Sequence, residues 1–146
     1  MTDINNIENI LDSEGVYIST TSGVSMYPML RDRRDTIVVT PCRERLKKYD
    51  VALYRRGESY VLHRVIEVRP DSYVIRGDNC VAKEYGITDA NILGKLTAFY
   101  RKDKEINMNG AAYKLYSRLI CLLHPFVKLK LKVIARIKKI RRSNDG

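Results

Sequence analysis

The chain contains no tryptophan, two phenylalanines, two histidines and three cysteines. Each scarcity excludes something. Cys42, Cys80 and Cys121 are far apart and odd in number, and no Cys-x-x-Cys occurs. Neither a disulfide framework nor a structural zinc site is expected, and three reduced thiols in a cytoplasmic protein are. No metal or other cofactor is called for. Long hydrophobic runs are also missing. A spanning helix needs about 20 mostly apolar residues, and the best stretch, Leu115 to Val127, is interrupted by Arg118, His124 and Pro125. The N-terminal MTDINNIENILDSEG has no basic n-region and no long apolar h-region, so no secretory signal is read there. Internal repeats and low-complexity segments are absent.

What is present is ordinary globular composition, 146 residues of which 45% are apolar and 30% charged, enough for one domain. The net charge of +10 is unevenly placed. Residues 1–112 hold 17 basic and 16 acidic residues, whereas residues 113–146 hold 10 basic residues and one acid, Asp145. A near-neutral body with a basic tail argues against a protein built as a whole around nucleic acid, and nucleic acid is not an expected partner.

The periodicity predicts three parts. Residues 1–15 contain a short amphipathic helix over 3–12, with Ile4, Ile7, Ile10 and Leu11 on one face, Thr2 or Asp3 as cap, and Gly15 as its end. Residues 16–108 form a β-rich domain. Its runs are Val16–Thr20, Thr36–Thr40, Asp50–Tyr54, Ser59–Val68, Ser72–Arg76 and Ile92–Tyr100. Closely spaced short strands imply an antiparallel meander, a curled sheet or a partly open β-barrel. Five of the ten tyrosines, Tyr17, Tyr49, Tyr54, Tyr60 and Tyr73, fall in or beside these runs and read as core and sheet residues. Residues 109–146 form a basic amphipathic helical tail. Leu115, Tyr116, Leu119, Ile120, Leu122 and Leu123 cover half of one helix, Pro125 breaks it, and Leu129, Val133, Ile137 and Ile140 make a second stripe. The alternation in KLKLKV also suits a strand.

Three segments carry residues suited to chemistry. In Ser22-Gly23-Val24-Ser25-Met26-Tyr27-Pro28, Gly23 allows close approach of a ligand to the backbone and Pro28 stiffens the turn after Ser25. In the run Tyr60–Val68, alternation puts Val61, His63 and Val65 on one face and Leu62, Arg64 and Ile66 on the other. A histidine among valines is at least partly buried and neutral, leaving a ring nitrogen free to accept a proton. In Tyr73–Asn79, Asp78 lies at a strand end beside Gly77.

Taken together these segments resemble the signal peptidase and LexA-like serine peptidases over roughly residues 20–100. "SGVSMYPML" resembles the box around the nucleophile. "RDRRDTIVV" resembles the strand after it, although the family usually has Gly-Asp where Arg34-Asp35 stands. "YDVALYRR" with "YVLHRVIEV" resembles the hairpin bearing the base, and "YVIRGDN" the Gly-Asp-Asn box. With His63 at the base position, the likeness is to the Ser–His branch found in archaeal and endoplasmic-reticulum signal peptidases, rather than to the Ser–Lys dyad. The resemblance implies a serine endopeptidase with Ser25 as nucleophile, His63 as general base, and Asp78 or Glu84 as the acid behind it. Asp78 is favoured, because that branch carries an aspartate at the position of Glu84 and a glutamate there is a departure. Gly23, Met26 and Pro28 are the implied substrate-binding residues. The Ser25 N–H is one oxyanion donor, and Gly23 occupies a place where some members carry a second donor hydroxyl.

No anchor helix is read ahead of Ser25, so a peptidase that removes a leader from a peptide precursor is expected over one that cleaves the signal peptides of exported proteins. A self-cleaving LexA-like regulator is a weaker fit, since 24 residues ahead of Ser25 are too few for a helix-turn-helix domain. A third reading rests on the tail, residues 113–142. Two basic amphipathic helices suit an anionic membrane surface, or their apolar stripes pack on the β body with the lysines merely solvated.

Overall fold

The computed structural model describes residues 4–144. The first helix, α1 (Ile4–Glu14), buries Ile7 and Leu11 against the sheet and ends at Gly15, whose φ of 69° lets its N–H reach the Leu11 carbonyl. The expected cap residues, Thr2 and Asp3, lie outside the described residues.

Eight strands follow: β1 (Tyr17–Thr20), β2 (Asp35–Thr40), β3 (Val51–Arg56), β4 (Ser59–Val68), β5 (Tyr73–Arg76), β6 (Glu84–Ile87), β7 (Ile92–Arg101) and β8 (Lys104–Ile106). Every pairing is antiparallel. The order β1-β2-β7-β3-β4-β5-β6, with β8 also on β7, is not the simple meander expected. β7 inserts between β2 and β3, so the long connection carrying Ser25 and the chain's later half are both tied into one curled half-barrel. β6 and β8 were not legible as strands. Glu84-Tyr85-Gly86-Ile87 has a glycine at φ 71° and little apolar alternation, and Lys104-Glu105-Ile106 is charged.

Two cores lie on opposite faces of the sheet. One joins Met26, Met29 and Leu30 to Ile37, Val39, Val51, Leu53, Leu96, Phe99 and α1. The other gathers Leu46, Ala52, Tyr54, Val65, Tyr73 and Ile75. At about 25 cal/mol per Å² of apolar surface, these cores dominate the stability of so small a sheet. Register is set within the β3–β4 hairpin, where Ala52 faces His63 and Leu53 faces Leu62. That places His63 on the second core's face and its neighbour Arg64 on the first, as the alternation predicted.

Two helices close the described chain, α2 (Ala111–Leu122) and α3 (His124–Asn144). The ambiguous KLKLKV stretch is helical. α2 turns Tyr113, Tyr116 and Ser117 inward, while Leu115, Leu119, Leu122 and Leu123 stay exposed. The apolar stripe of α3 does not pack on the body: Leu129, Val133, Ile137 and Ile140 are 46–60% exposed. Among the described residues no helix is long and apolar enough to cross a membrane.

Candidate active site

A cleft of about 680 Å³ opens between β1 and the first half of β4, and both Ser25 and His63 line it. Among the described residues β1 pairs only with β2, and Ser59–His63 pair only with β3 before β5 joins at Arg64. Two strand edges with unpaired peptide groups therefore flank the cleft. A hollow of about 290 Å³ beside Cys42, Arg45 and Lys95 is lined by neither serine nor histidine.

Ser25 sits in a loop held from below by apolar anchors: Met26, Met29 and Leu30 are each buried in the first core. Gly23 stands at φ 86° with open space where a side chain would project, and its N–H donates to Asp32 Oδ1 at 2.8 Å. From the side, residues 77–80 clamp the loop. The Asn79 N–H donates to the Ser25 carbonyl at 2.8 Å, and Asn79 Nδ2 to the Val24 carbonyl at 3.1 Å. Gly77 makes this approach feasible. A Cβ there would lie 2.6 Å from the Ser25 carbonyl oxygen and 3.1 Å from His63 Cδ2. The Ser25 main-chain carbonyl and the Cδ2 edge of the imidazole thus both lie against one glycine.

The opposite edge of the ring is tied down. His63 Nδ1 lies 3.2 Å from the Tyr54 hydroxyl and 3.4 Å from Glu84 Oε1. Tyr54 donates to Glu84 Oε1 at 2.7 Å, and Arg56 Nη1 donates to the same oxygen at 2.8 Å. With its proton committed to Glu84, the Tyr54 oxygen is left to accept from Nδ1–H, which leaves Nε2 as the basic nitrogen. His63 is 5% exposed, and burial holds its pKa below the ordinary imidazole value; Glu84 pulls it upward and Arg56 downward. Burial, with Glu84 beside it, pushes the Tyr54 phenol well above the usual range, so it acts as a neutral donor.

Asp78 makes no hydrogen bond to His63 and reaches it only through its charge. Its carboxylate is taken by Arg64, whose Nε and Nη2 donate to the two oxygens at 2.7 and 2.8 Å, and by the Tyr116 hydroxyl at 3.1 Å. Arg64 is fully buried and donates further to the Tyr49 carbonyl, Tyr113 and Ser117. Burial opposes its charge, but the hydrogen bonds and charge of Asp78 overrule it and hold the guanidinium protonated. A buried cation needs its counterion on the same face, and Asp78 is that counterion. The acid beside His63 is Glu84, brought there because β6 pairs with β5 and sets Glu84 opposite Ile75.

Of the expected substrate-binding residues, Gly23 and Met26 line the cleft; Pro28 is exposed in the turn beyond it and does not. Sequence reasoning missed Tyr54 and Arg56. Tyr54 was within reach, since it pairs with Val61 in the hairpin and is therefore diagonal to His63 on the same face. Cys80 also lines the cleft, but burial pushes its thiol pKa up, which disfavours the reactive thiolate. Among the described residues Ser25 Oγ and Ser25 N–H make no hydrogen bond, and no three His, Cys, Asp or Glu side chains gather as a metal site. No family model and no curated protein matches the chain.

A serine that lines the same cleft as a buried imidazole, one of whose nitrogens is backed by a phenol and a carboxylate, can be deprotonated as it attacks an acyl carbon once the two are brought within reach. The free Ser25 N–H is available to an oxyanion.

Proposed function

We propose that the protein is a serine endopeptidase of the signal-peptidase-like type, and that it cleaves an extended peptide or precursor lying in the cleft. The observation that carries this reading is the setting of His63: Nδ1 is held by Tyr54 and Glu84, the Cδ2 edge lies across Gly77 from the Ser25 main-chain carbonyl, and both residues line one cleft. In this scheme Ser25 attacks the scissile carbonyl while His63 Nε2 takes its proton. The imidazolium, stabilised through Tyr54 and Glu84, then protonates the leaving amine. Water, deprotonated by the same nitrogen, releases the acyl group. The hydroxyl and ring come within hydrogen-bond reach when substrate fills the cleft, a tightening common to unliganded sites. The flanking edges of β1 and β4 suit main-chain pairing with an extended substrate. Leader removal from a peptide precursor fits a cleft that reads backbone first.

The test is cleavage of a mixed peptide library followed by mass spectrometry. Wild-type protein should give a consistent set of new termini, and Ser25→Ala and His63→Ala should each lose cleavage by several orders of magnitude. Cleavage that survives Ser25→Ala would overturn the reading.

A further inference from the structure

The C-terminal helices expose what a folded body normally hides. On α2 the outward residues are Leu115, Leu119 and Leu122, and on α3 they are Phe126, Leu129, Val133, Ile137 and Ile140. Steps of three and four place each set within an arc of about 80° at 3.6 residues per turn. The spacing stays in phase from Leu122 to Phe126, because the break at Leu123 is slight: Leu123 has φ −85° and ψ 4°, and Phe126 N–H donates to its carbonyl at 3.0 Å. Arg118 and Arg136 flank one side of this arc, and Lys130 and Arg141 the other. α3 carries eight lysines and arginines, all exposed, and no acid. Beyond Leu131 every described residue of the helix is exposed, so about 20 Å of helix stands clear of the body.

We infer that α2 and α3 dock in the plane of an anionic bilayer surface, with the leucine–phenylalanine–isoleucine stripe in the headgroup boundary and the flanking bases on lipid phosphates. Charge decides the occupant. A second copy would bring two strongly basic helices together at close range, and a nucleic acid would satisfy the bases while leaving the stripe in water. An anionic bilayer satisfies both at once. The attachment is next to the cleft. Lys130 Nζ lies 5.9 Å over the ring of Tyr27, two residues after Ser25, and His124 Nε2 lies 2.7 Å from the Cys80 carbonyl at the end of the clamp. Docking therefore holds the cleft near the lipid, where a membrane-borne chain is presented to it.

The experiment is flotation of the full chain with vesicles of phosphatidylcholine alone and of phosphatidylcholine with 30 mol% phosphatidylglycerol. Wild type should float with the anionic vesicles at least about tenfold more than with neutral ones, and less in 0.5 M salt. The paired substitution Val133→Asp with Ile137→Asp should lose flotation about tenfold or more with an unchanged unfolding midpoint, since both positions are exposed. Failure of wild type to float, or equal flotation of the variant, overturns the inference. So does an oligomer in sedimentation that the variant abolishes without any flotation, or binding of RNA in place of vesicles. Because this readout is lipid binding, it stands or falls independently of peptide cleavage.

Discussion

His63 and Arg64 are consecutive residues of one strand, and both are buried, yet their surroundings differ in kind. Arg64 points into the face covered by α2 and is fully partnered: a bidentate aspartate, a carbonyl, a tyrosine and a serine. His63 points to the other face, where one nitrogen is held and the other edge is turned to an open cleft. The comparison separates two uses of a buried polar group. A closed network with every donor satisfied holds the structure together. A half-closed one, with a single basic nitrogen left toward solvent space, is available for proton transfer. The two acids divide along the same line, Asp78 belonging to the arginine and Glu84 to the histidine.

The largest way to sharpen this contrast is Arg64→Ala. It leaves Asp78 buried without its counterion and is expected to cost about 3–5 kcal/mol in denaturant unfolding. An unchanged midpoint would mean that the pair is not buried as described. Next is Glu84→Gln, which keeps shape but weakens the hold on the imidazole. Under the proposed reading it lowers the cleavage rate about 10²–10³-fold, while the unfolding free energy moves by less than about 1 kcal/mol. Asp78→Asn should behave the opposite way, with stability falling more than rate; a reversal of the two acids would break the comparison.

Gly77→Ala tests the seam between the two regions. Its methyl would sit 2.6 Å from both the Ser25 carbonyl oxygen and Cys80 Sγ, so the loop must shift. A cost of about 1–3 kcal/mol and a loss of cleavage are expected; a neutral outcome in both would show that the clamp is loose. Smaller still is Tyr54→Phe, which removes one hydrogen bond to Glu84 at about 1 kcal/mol and leaves Nδ1 to Glu84 alone.

The smallest effect is that of pH. Burial lowers the pKa of His63, and of His124 likewise, below the ordinary value in the unfolded chain. The unfolded state then binds more protons as pH falls through about 6.5. Stability is complete above that pH and declines as acidification proceeds toward the lowered folded values. Unfolding midpoints measured from pH 7.5 to 5 should fall with pH. A flat profile would contradict the burial of these rings. The acid limb of cleavage should also lie below pH 6.5, because Nε2 must be unprotonated to act.

Much of this is legible in the amino-acid sequence. Six of the eight strands, α1 and the tail helices follow from apolar period and turn residues, since those patterns are local. So does the burial of His63, because alternation in β4 carries it to the face of Val61 and Val65. The identity of the acid does not follow. Asp78 is near in sequence to a strand end and looked suitable, but which carboxylate meets which base is settled by the pairing of β6 on β5 and by the demand of Arg64 for a counterion. The tail shows the same limit. Residue types alone set its amphipathic helices and their charge, whereas only the packed structure decides which face is left over. α2 spends its tyrosines and serine on Arg64 and Asp78, and so turns its leucines outward. Local pattern determines what an element can bury; long-range pairing, driven by the cost of an uncompensated buried charge, determines what it does bury.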